Sequence, residues 1–195
     1  MRELDYYEGE CFESLRMSGE TLSGGEFVDG EFRACSFEEL QLLRCSFREC
    51  RFLSCTISQV KTRSSELKYC EFEDCTVLGL NWALLKPDGP FGEPIEKMKN
   101  CRIRYGSFSS MNFKRFNFSA SALTHCTFAD CDLSESDLRS CELTDTEFFR
   151  CDLRKADFRH AGGFIIDVNN NRLQGARFTY PEVLDLLDGL GIRIE

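Results

Sequence analysis

The sequence predicts an all-β solenoid in which short strands stack into square coils of about 20 residues. A large apolar side chain recurs at every fifth position, a small residue stands two positions before it, and both keep their phase over most of the chain. A spacing of five fits neither the 3.6-residue period of an α-helix nor the two-residue period of a flat strand. Two inward positions in five instead fit a chain that turns a corner every five residues, so that four sides close one coil.

The apolar positions form two series. The first runs from Phe12 to Trp82 with Thr62 as its exception, and the second runs from Met98 to Phe158. Thirteen of the 18 Phe lie on these positions, and the 16 residues between Trp82 and Met98 shift the register by one. Residues 20 apart are therefore expected to stack like parallel strands, about 4.8 Å apart. One predicted column of rings is Phe12, Phe32, Phe52 and Phe72.

The cysteines follow the same rule. Eleven of the 12 stand two positions before an apolar residue, and Cys11 is the one out of phase. We expect these thiols to be buried as small apolar fillers, because a reducing cytoplasm disfavours disulfides. The spacing of Cys45, Cys50 and Cys55 raises the alternative of a metal site. The repeat already explains that spacing and no His joins them, so the sequence predicts no metal and no cofactor.

Residues 83–97 interrupt the repeat. They contain three of the four prolines, and proline cannot donate to a strand ladder. Two interpretations stay open: a spacer that absorbs the shift in register, or a projecting recognition loop. In the second interpretation the contact residues are Lys86, Asp88, Phe91 and Glu93.

The pattern divides the chain into five segments. These are an N-terminal cap (1–11), a first solenoid part (12–82), the loop (83–97), a second solenoid part (98–161) and a C-terminal cap (162–195). A capping box at Thr179 to Glu182 predicts a short α-helix over about 180–190. Its apolar residues are expected to close the solenoid and to form a homodimer contact. They are Val183, Leu184, Leu187, Leu190 and Ile192.

Composition and charge limit the function. The 195 residues carry a net charge of −9, which argues against direct nucleic-acid binding. No apolar run reaches the length of a transmembrane helix, and MRELDYYEGE is not a signal peptide, so we expect a cytoplasmic protein. No catalytic constellation is visible, and the sequence predicts a protein that is not an enzyme.

One carboxylate precedes each of six successive apolar residues. At four per coil, this is about one negative charge per 1.2 Å of axis, against about one per 1.7 Å in duplex DNA. The sequence therefore predicts an acidic, DNA-like partner-binding surface. The alternative is structural, because short polar side chains suit a chain corner. The six residues are Asp132, Asp137, Glu142, Glu147, Asp152 and Asp157.

The repeat over roughly residues 10–161 resembles the pentapeptide-repeat family, which implies a right-handed quadrilateral β-helix. Within the family the layout is similar to the McbG and Qnr topoisomerase-protecting proteins. CEFEDCTVLGLNWA before the interruption, CRIRYGSFSSMNF after it and the terminal LLDGLGIRIE carry this similarity.

That resemblance implies binding to DNA gyrase or topoisomerase IV. The acidic positions would face the basic DNA groove, the loop would make specific contacts, and the enzyme would be protected from quinolone or microcin-type poisons. The alternative function is a protein-interaction scaffold with another partner and no topoisomerase activity. The sequence leaves open which drug or toxin is countered, and whether the protein is a monomer or a dimer.

Overall fold

The computed structural model describes residues 5–87 and 92–190. The chain forms two compact units, Met1–Cys101 and Arg102–Glu195. Each described unit consists of short parallel strands with almost no helix, which confirms the predicted β-solenoid.

Strands in the N-terminal unit are mostly three residues long, and each lies on one side of a square coil. They pair with strands one coil earlier or later, which places them on four faces. The strands are β1 (Tyr6–Glu8), β2 (Cys11–Glu13), β3 (Arg16–Ser18), β4 (Thr21–Ser23), β5 (Glu26–Val28), β6 (Glu31–Arg33), β7 (Ser36–Glu38), β8 (Gln41–Leu43), β9 (Ser46–Arg48), β10 (Arg51–Leu53), β11 (Thr56–Ser58), β12 (Lys61–Arg63), β13 (Glu66–Lys68), β14 (Cys70–Glu73), β15 (Thr76–Leu78) and β16 (Ile95–Lys99).

The predicted column of rings fills the interior of this unit. Phe12 pairs in register with Phe32, Phe32 with Phe52, and Phe52 with Phe72. The ring centroids of each neighbouring pair lie 4.9 Å apart and the rings are stacked. Burial and stacking of each inner ring contribute about 1.5–3 kcal/mol before entropy costs.

Corners of the solenoid use left-handed backbone. In the described residues, 24 positions other than glycine have a positive φ, and nearly all stand two residues after an inward apolar side chain. Ala34, for example, has φ 50° and donates its N–H to the Leu53 carbonyl of the next coil at 2.9 Å. Such a conformation costs an L-residue about 1 kcal/mol or more, and bonding between coils holds it in place.

The C-terminal unit continues the same rule with a second kind of corner. Two of its faces hold isolated bridges instead of strands, such as Asn117 to Asp137 and Asp137 to Asp157. Their corners close with a bond from residue i+3 to residue i, as from the Phe116 N–H to the Phe113 carbonyl at 3.0 Å. A positive φ at position i+2 makes these type II turns. The strands on the other faces are β17 (Arg102–Arg104), β18 (Ser107–Ser109), β19 (Ala122–Thr124), β20 (Thr127–Ala129), β21 (Glu142–Phe149) and β22 (Gly162–Ile166).

The start of the solenoid differs from the predicted N-terminal cap over 1–11. Strands β1 and β2 already belong to the first coil, because Tyr7 takes the inward ring position one period before Phe12. Its ring stacks on Phe27 at 5.1 Å. Residues 1–4 lie outside the described residues.

The interruption is shorter than the predicted loop over 83–97. A 3-10 helix forms at Trp82–Leu85, and β16 begins at Ile95. Strand β16 pairs with β14 so that Phe72 faces Met98, 26 residues later in the sequence instead of 20. A shift in register between Cys70 and Glu71 accommodates the difference.

The C-terminal solenoid continues beyond the predicted boundary at residue 161. Arg177 forms a bridge with Asp157, and the Phe178 ring stacks on Phe158 at 5.1 Å. The α-helix predicted over about 180–190 is instead a 3-10 helix, Glu182–Leu190. Leu184, Leu187 and Leu190 recur every three residues, which suits a helix of three residues per turn.

Cysteine side chains occupy the predicted inward position. Every described cysteine except Cys11 is buried, and its thiol donates to the carbonyl of a residue 23 positions earlier or, for Cys101, 29 positions earlier. Burial raises the pKa of Cys126 to about 11 and that of Cys141 to about 12. These thiols are therefore uncharged fillers of the core, as predicted.

Candidate partner-binding surface

The six predicted carboxylates do not form one surface. Asp132, Asp137, Asp152 and Asp157 lie at the bridge positions of the two faces that have type II corners. Glu142 and Glu147 lie in β21, on the remaining two faces of the same unit. The two groups therefore have different surroundings and are considered separately.

Each of the four aspartates holds a corner. Its Oδ1 accepts a hydrogen bond from the backbone N–H two residues later, at 2.9 Å for Asp132, 3.0 Å for Asp137 and 3.2 Å for Asp152 and Asp157. This local bond stabilises a turn in the way expected for a short polar side chain. The structural interpretation of these positions is therefore supported by geometry.

Arginines engage three of these carboxylates. The Arg139 Nη2 lies 2.7 Å from Asp137, the Arg159 Nη2 lies 2.7 Å from Asp157, and Arg154 pairs with Asp152 in the same way. Hydrogen bonds from these guanidinium groups lower the pKa of all three carboxyls. The Asp152 and Asp157 side chains are only 15% exposed, so little of either carboxylate remains for a partner.

The two faces that carry these aspartates are net positive. Residues 112–120, 132–140, 152–160 and 172–180 contain five acidic and eight basic residues. Arg172 and Arg177 add further ion pairs to Asp152 and Asp157, at 3.5 and 3.9 Å. Dense carboxylates in the sequence thus do not produce a dense negative surface in this unit.

Glu142 and Glu147 have a different environment. Both side chains are exposed on β21, and neither forms a salt bridge with the residues that the structure describes. Of the six predicted carboxylates, these two are the ones available for contact with a partner.

The described part of the interruption lies against the coil. Lys86 and Glu93 are half-buried, while Pro87 and Pro94 are buried. The carbonyls of Glu93 and Pro94 accept hydrogen bonds from Tyr69 and Cys70 at 2.8 and 3.1 Å, as in a strand. The other two predicted loop contacts, Asp88 and Phe91, lie outside the described residues.

The C-terminal segment packs on the last coil. Its 3-10 helix contacts β22, with Val183, Leu184 and Leu187 half-buried and Leu190 46% exposed. The Thr179 hydroxyl lies 2.9 Å from the Glu182 carboxylate and accepts the His160 N–H at 2.9 Å. Ile192, the last residue predicted for the cap and dimer contact, lies outside the described residues.

Two features escaped prediction although the sequence contains a signal for each. The Asp–Arg pairs follow an Asp-x-Arg spacing at 137, 152 and 157, which marks a corner carboxylate with its own counter-ion. The 20-residue rule also stacks Tyr105 on His125 at 5.0 Å, and Asp145 lies 3.3 Å from the His125 Nδ1. This exposed column is polar and aromatic, with Arg104 over the Tyr105 ring.

Residues 5–87 and 92–190 contain no group of three or more His, Cys, Asp or Glu suited to hold a metal ion. Within the same residues, no helix combines the length and the apolar character needed to cross a membrane.

Repeated inward rings and thiols, left-handed corners and parallel ladders define a β-solenoid built from five-residue repeats. A family model described as a pentapeptide repeat region matches residues 97–178. Because the same rule governs residues 12–82, the chain belongs to the pentapeptide-repeat family. No curated protein matches the chain.

Solved structures with a similar fold include QnrB1, a plasmid-mediated fluoroquinolone resistance protein. One trypsin-treated variant of QnrB1 is 18% identical, with a TM-score of 0.66 over 98% of this chain and 99% of that chain. A second trypsin-treated variant is 16% identical, with a TM-score of 0.59 over 95% of this chain and 100% of that one. At this identity the likeness establishes the fold.

Proposed function

We propose that this protein binds DNA gyrase or topoisomerase IV and protects the enzyme from quinolone or microcin-type poisons, without catalysing a reaction itself. The observation that carries the proposal is a fold shared over nearly the whole chain with QnrB1, a fluoroquinolone resistance protein. The interruption after Trp82 and the C-terminal segment add to this support, since both belong to the layout of the topoisomerase-protecting members. Such a function would be exercised in the cytoplasm.

Partner contact in the C-terminal unit would come from Glu142 and Glu147. Their carboxylates are exposed and unpaired among the described residues, unlike the four aspartates that hold corners. Recognition by the interruption would rest on residues 88–91, because Lys86 and Glu93 flank it in half-buried positions. The half-buried apolar side of the C-terminal 3-10 helix would supply a homodimer contact, with Leu190 its most exposed member.

A protein-interaction scaffold with a different partner is the second candidate. The observation that favours it is the excess of basic residues on two faces of the C-terminal unit. A surface of that charge does not imitate the phosphate backbone of DNA along the whole solenoid.

A supercoiling assay with purified gyrase tests the proposal. With a quinolone present, micromolar protein is expected to restore supercoiling, and a pull-down is expected to recover the enzyme. Absence of binding, inhibition and protection at that concentration would reject the topoisomerase function and leave the scaffold.

Matched variants test the contacts. Glu142→Gln/Glu147→Gln is expected to weaken gyrase binding, whereas Glu38→Gln/Glu39→Gln removes two exposed carboxylates elsewhere and is the control. Replacing residues 88–91 by Gly-Ser-Gly-Ser is expected to abolish protection in a protein that still folds. Full protection by that variant would make the segment a spacer.

A further inference from the structure

The first coil of the N-terminal unit leaves one edge of four strands without a partner among the described residues. Strands β1, β2, β3 and β4 pair with β5, β6, β7 and β8, and each has a second edge on which no described strand lies. Open strand edges are templates for the addition of another strand. This end of the unit therefore offers backbone donors and acceptors to a partner.

The same end leaves its core uncovered. Tyr7, Phe12, Met17 and Leu22 are half-buried. Their equivalents one coil later, Phe27, Phe32, Phe37 and Leu42, are only 5%, 2%, 8% and 8% exposed. An apolar surface of this kind beside open strand edges marks an interaction site.

Charge surrounds this end with one sign. Residues 5–31 contain eight acidic residues and one basic residue, Arg16. Seven of the eight carboxylates are exposed, and none of the seven forms a salt bridge with the described residues. Glu31 is the exception, since it is buried beside Arg33 and Arg51. We name the seven exposed residues the N-terminal rim: Asp5, Glu8, Glu10, Glu13, Glu20, Glu26 and Asp29.

This charge selects the occupant. Two copies that met through this end would bring two such rims together, and repulsion between like charges disfavours that contact. A cationic polypeptide is attracted by the same field, and its backbone can pair with a free strand edge. The rim is densest around β1 and β2, with Asp5, Glu8, Glu10 and Glu13 in the first coil.

We propose that the N-terminal end of the solenoid is a docking site for an extended, Lys- or Arg-rich segment of a partner protein. The segment adds a strand beside β1 or β2, places apolar side chains over Tyr7 and Phe12, and directs its cations to the rim. This site does not require the partner to be a topoisomerase, so it stands or falls separately from the proposed function.

Binding of a synthetic peptide to the full chain tests the site. The probe is a nine-residue peptide of alternating lysine and valine, and the control probe replaces each lysine by glutamate. Calorimetry is expected to show binding of the lysine peptide that weakens as salt rises, and none of the glutamate peptide. Equal binding of both peptides would overturn the proposal.

Matched variants separate the rim from general acidity. Glu8→Gln/Glu10→Gln/Glu13→Gln is expected to weaken the lysine peptide at least tenfold at low salt. Glu38→Gln/Glu39→Gln/Glu49→Gln removes three exposed carboxylates from the same unit and is expected to change its affinity less than twofold. Equal effects of the two variants would show nonspecific attraction and reject the site.

Two further measurements test strand addition and access. A lysine–valine peptide methylated on alternate backbone nitrogens keeps its charge but cannot pair, and it is expected to bind at least fivefold more weakly. Bound peptide is expected to slow amide exchange in residues 6–13 and not in residues 102–109. Deleting residues 2–4 is expected to change affinity less than twofold, and a tenfold increase would show that these residues close the end in the intact chain.

Discussion

The two units follow one five-residue rule but use their carboxylates differently. The N-terminal unit has 19 acidic and 12 basic residues, and the C-terminal unit has 14 and 12, so net charges are −7 and −2. In the C-terminal unit, Asp137, Asp152 and Asp157 hold corners and pair with arginine. In the first coil of the N-terminal unit, the carboxylates face solvent. A count along the sequence therefore places the acidic surface in the wrong unit.

The largest expected effect tests what the two units share. Phe52→Ala in the N-terminal unit and Phe128→Ala in the C-terminal unit each remove a stacked inner ring. Each is expected to lower the free energy of unfolding by about 3–5 kcal/mol, from the lost burial and the cavity left behind. Denaturant unfolding measures the change, with Leu84→Ala, at a side chain 60% exposed, as a control expected to lose under about 0.5 kcal/mol. A small loss at either ring would show that the cores are not equivalent.

Corner carboxylates should separate the units next. Asp157→Ala removes a bond to the backbone and the pair with Arg159, and about 1–3 kcal/mol of stability is expected to be lost. Glu147→Ala, at an exposed carboxylate in the same unit, is expected to lose less than about 0.5 kcal/mol. Comparable losses in urea unfolding would contradict the division between corner and surface carboxylates.

Acid should weaken the corners of the C-terminal unit. The pKa values of Asp137, Asp152 and Asp157 lie below the ordinary 3.8 because of bonds from Arg139, Arg154 and Arg159. Near pH 3.8 the unfolded chain then binds more protons, so this stabilisation is complete above that pH and is lost as pH falls through the folded pKa values. Melting temperatures from pH 5 to pH 2 are expected to fall less steeply in Asp157→Asn, which keeps an oxygen acceptor but does not titrate. An unchanged slope would reject this source of pH dependence.

The smallest expected effect concerns left-handed corners. Ala34 and Ala120, one in each unit, have φ values of 50° and 60°. Ala34→Gly and Ala120→Gly are each expected to raise the free energy of unfolding by about 0.5–1 kcal/mol, because glycine adopts this conformation without strain. Ala122→Gly, within strand β19, is the control and is expected to lower it. Destabilisation at both corners would show that the inter-coil bonds remove the strain.

Local repetition explains how much of the fold the sequence predicts. The five-residue rule identifies the ring columns and the buried thiols because every side of a coil repeats the same contacts. The last coil escapes this rule, since Asn171 stands where other coils place cysteine. Its Nδ2 donates to the Phe148 carbonyl at 2.8 Å, and its Oδ1 accepts from the Cys151 N–H at 2.9 Å. A polar side chain thus replaces a thiol by making the hydrogen bonds itself, which composition does not reveal.

The surface was less predictable because its charge depends on neighbours from other coils. Whether Asp157 is free depends on Arg159, two residues away, and on Arg177, 20 residues away. Glu13 and Asp157 both precede or follow an inward ring, yet only Asp157 has a guanidinium beside it. An account of charge that follows the coil in steps of two and 20 residues would have identified these pairs.

The most direct test compares two triple variants in urea. Asp137→Ala/Asp152→Ala/Asp157→Ala removes corner carboxylates, and Glu8→Ala/Glu10→Ala/Glu13→Ala removes rim carboxylates. We predict that the first variant loses at least about 3 kcal/mol of unfolding free energy and that the second loses less than about 1.5 kcal/mol. If the first variant is as stable as the parent protein, or the second loses as much as the first, the division of the carboxylates between structure and surface is wrong.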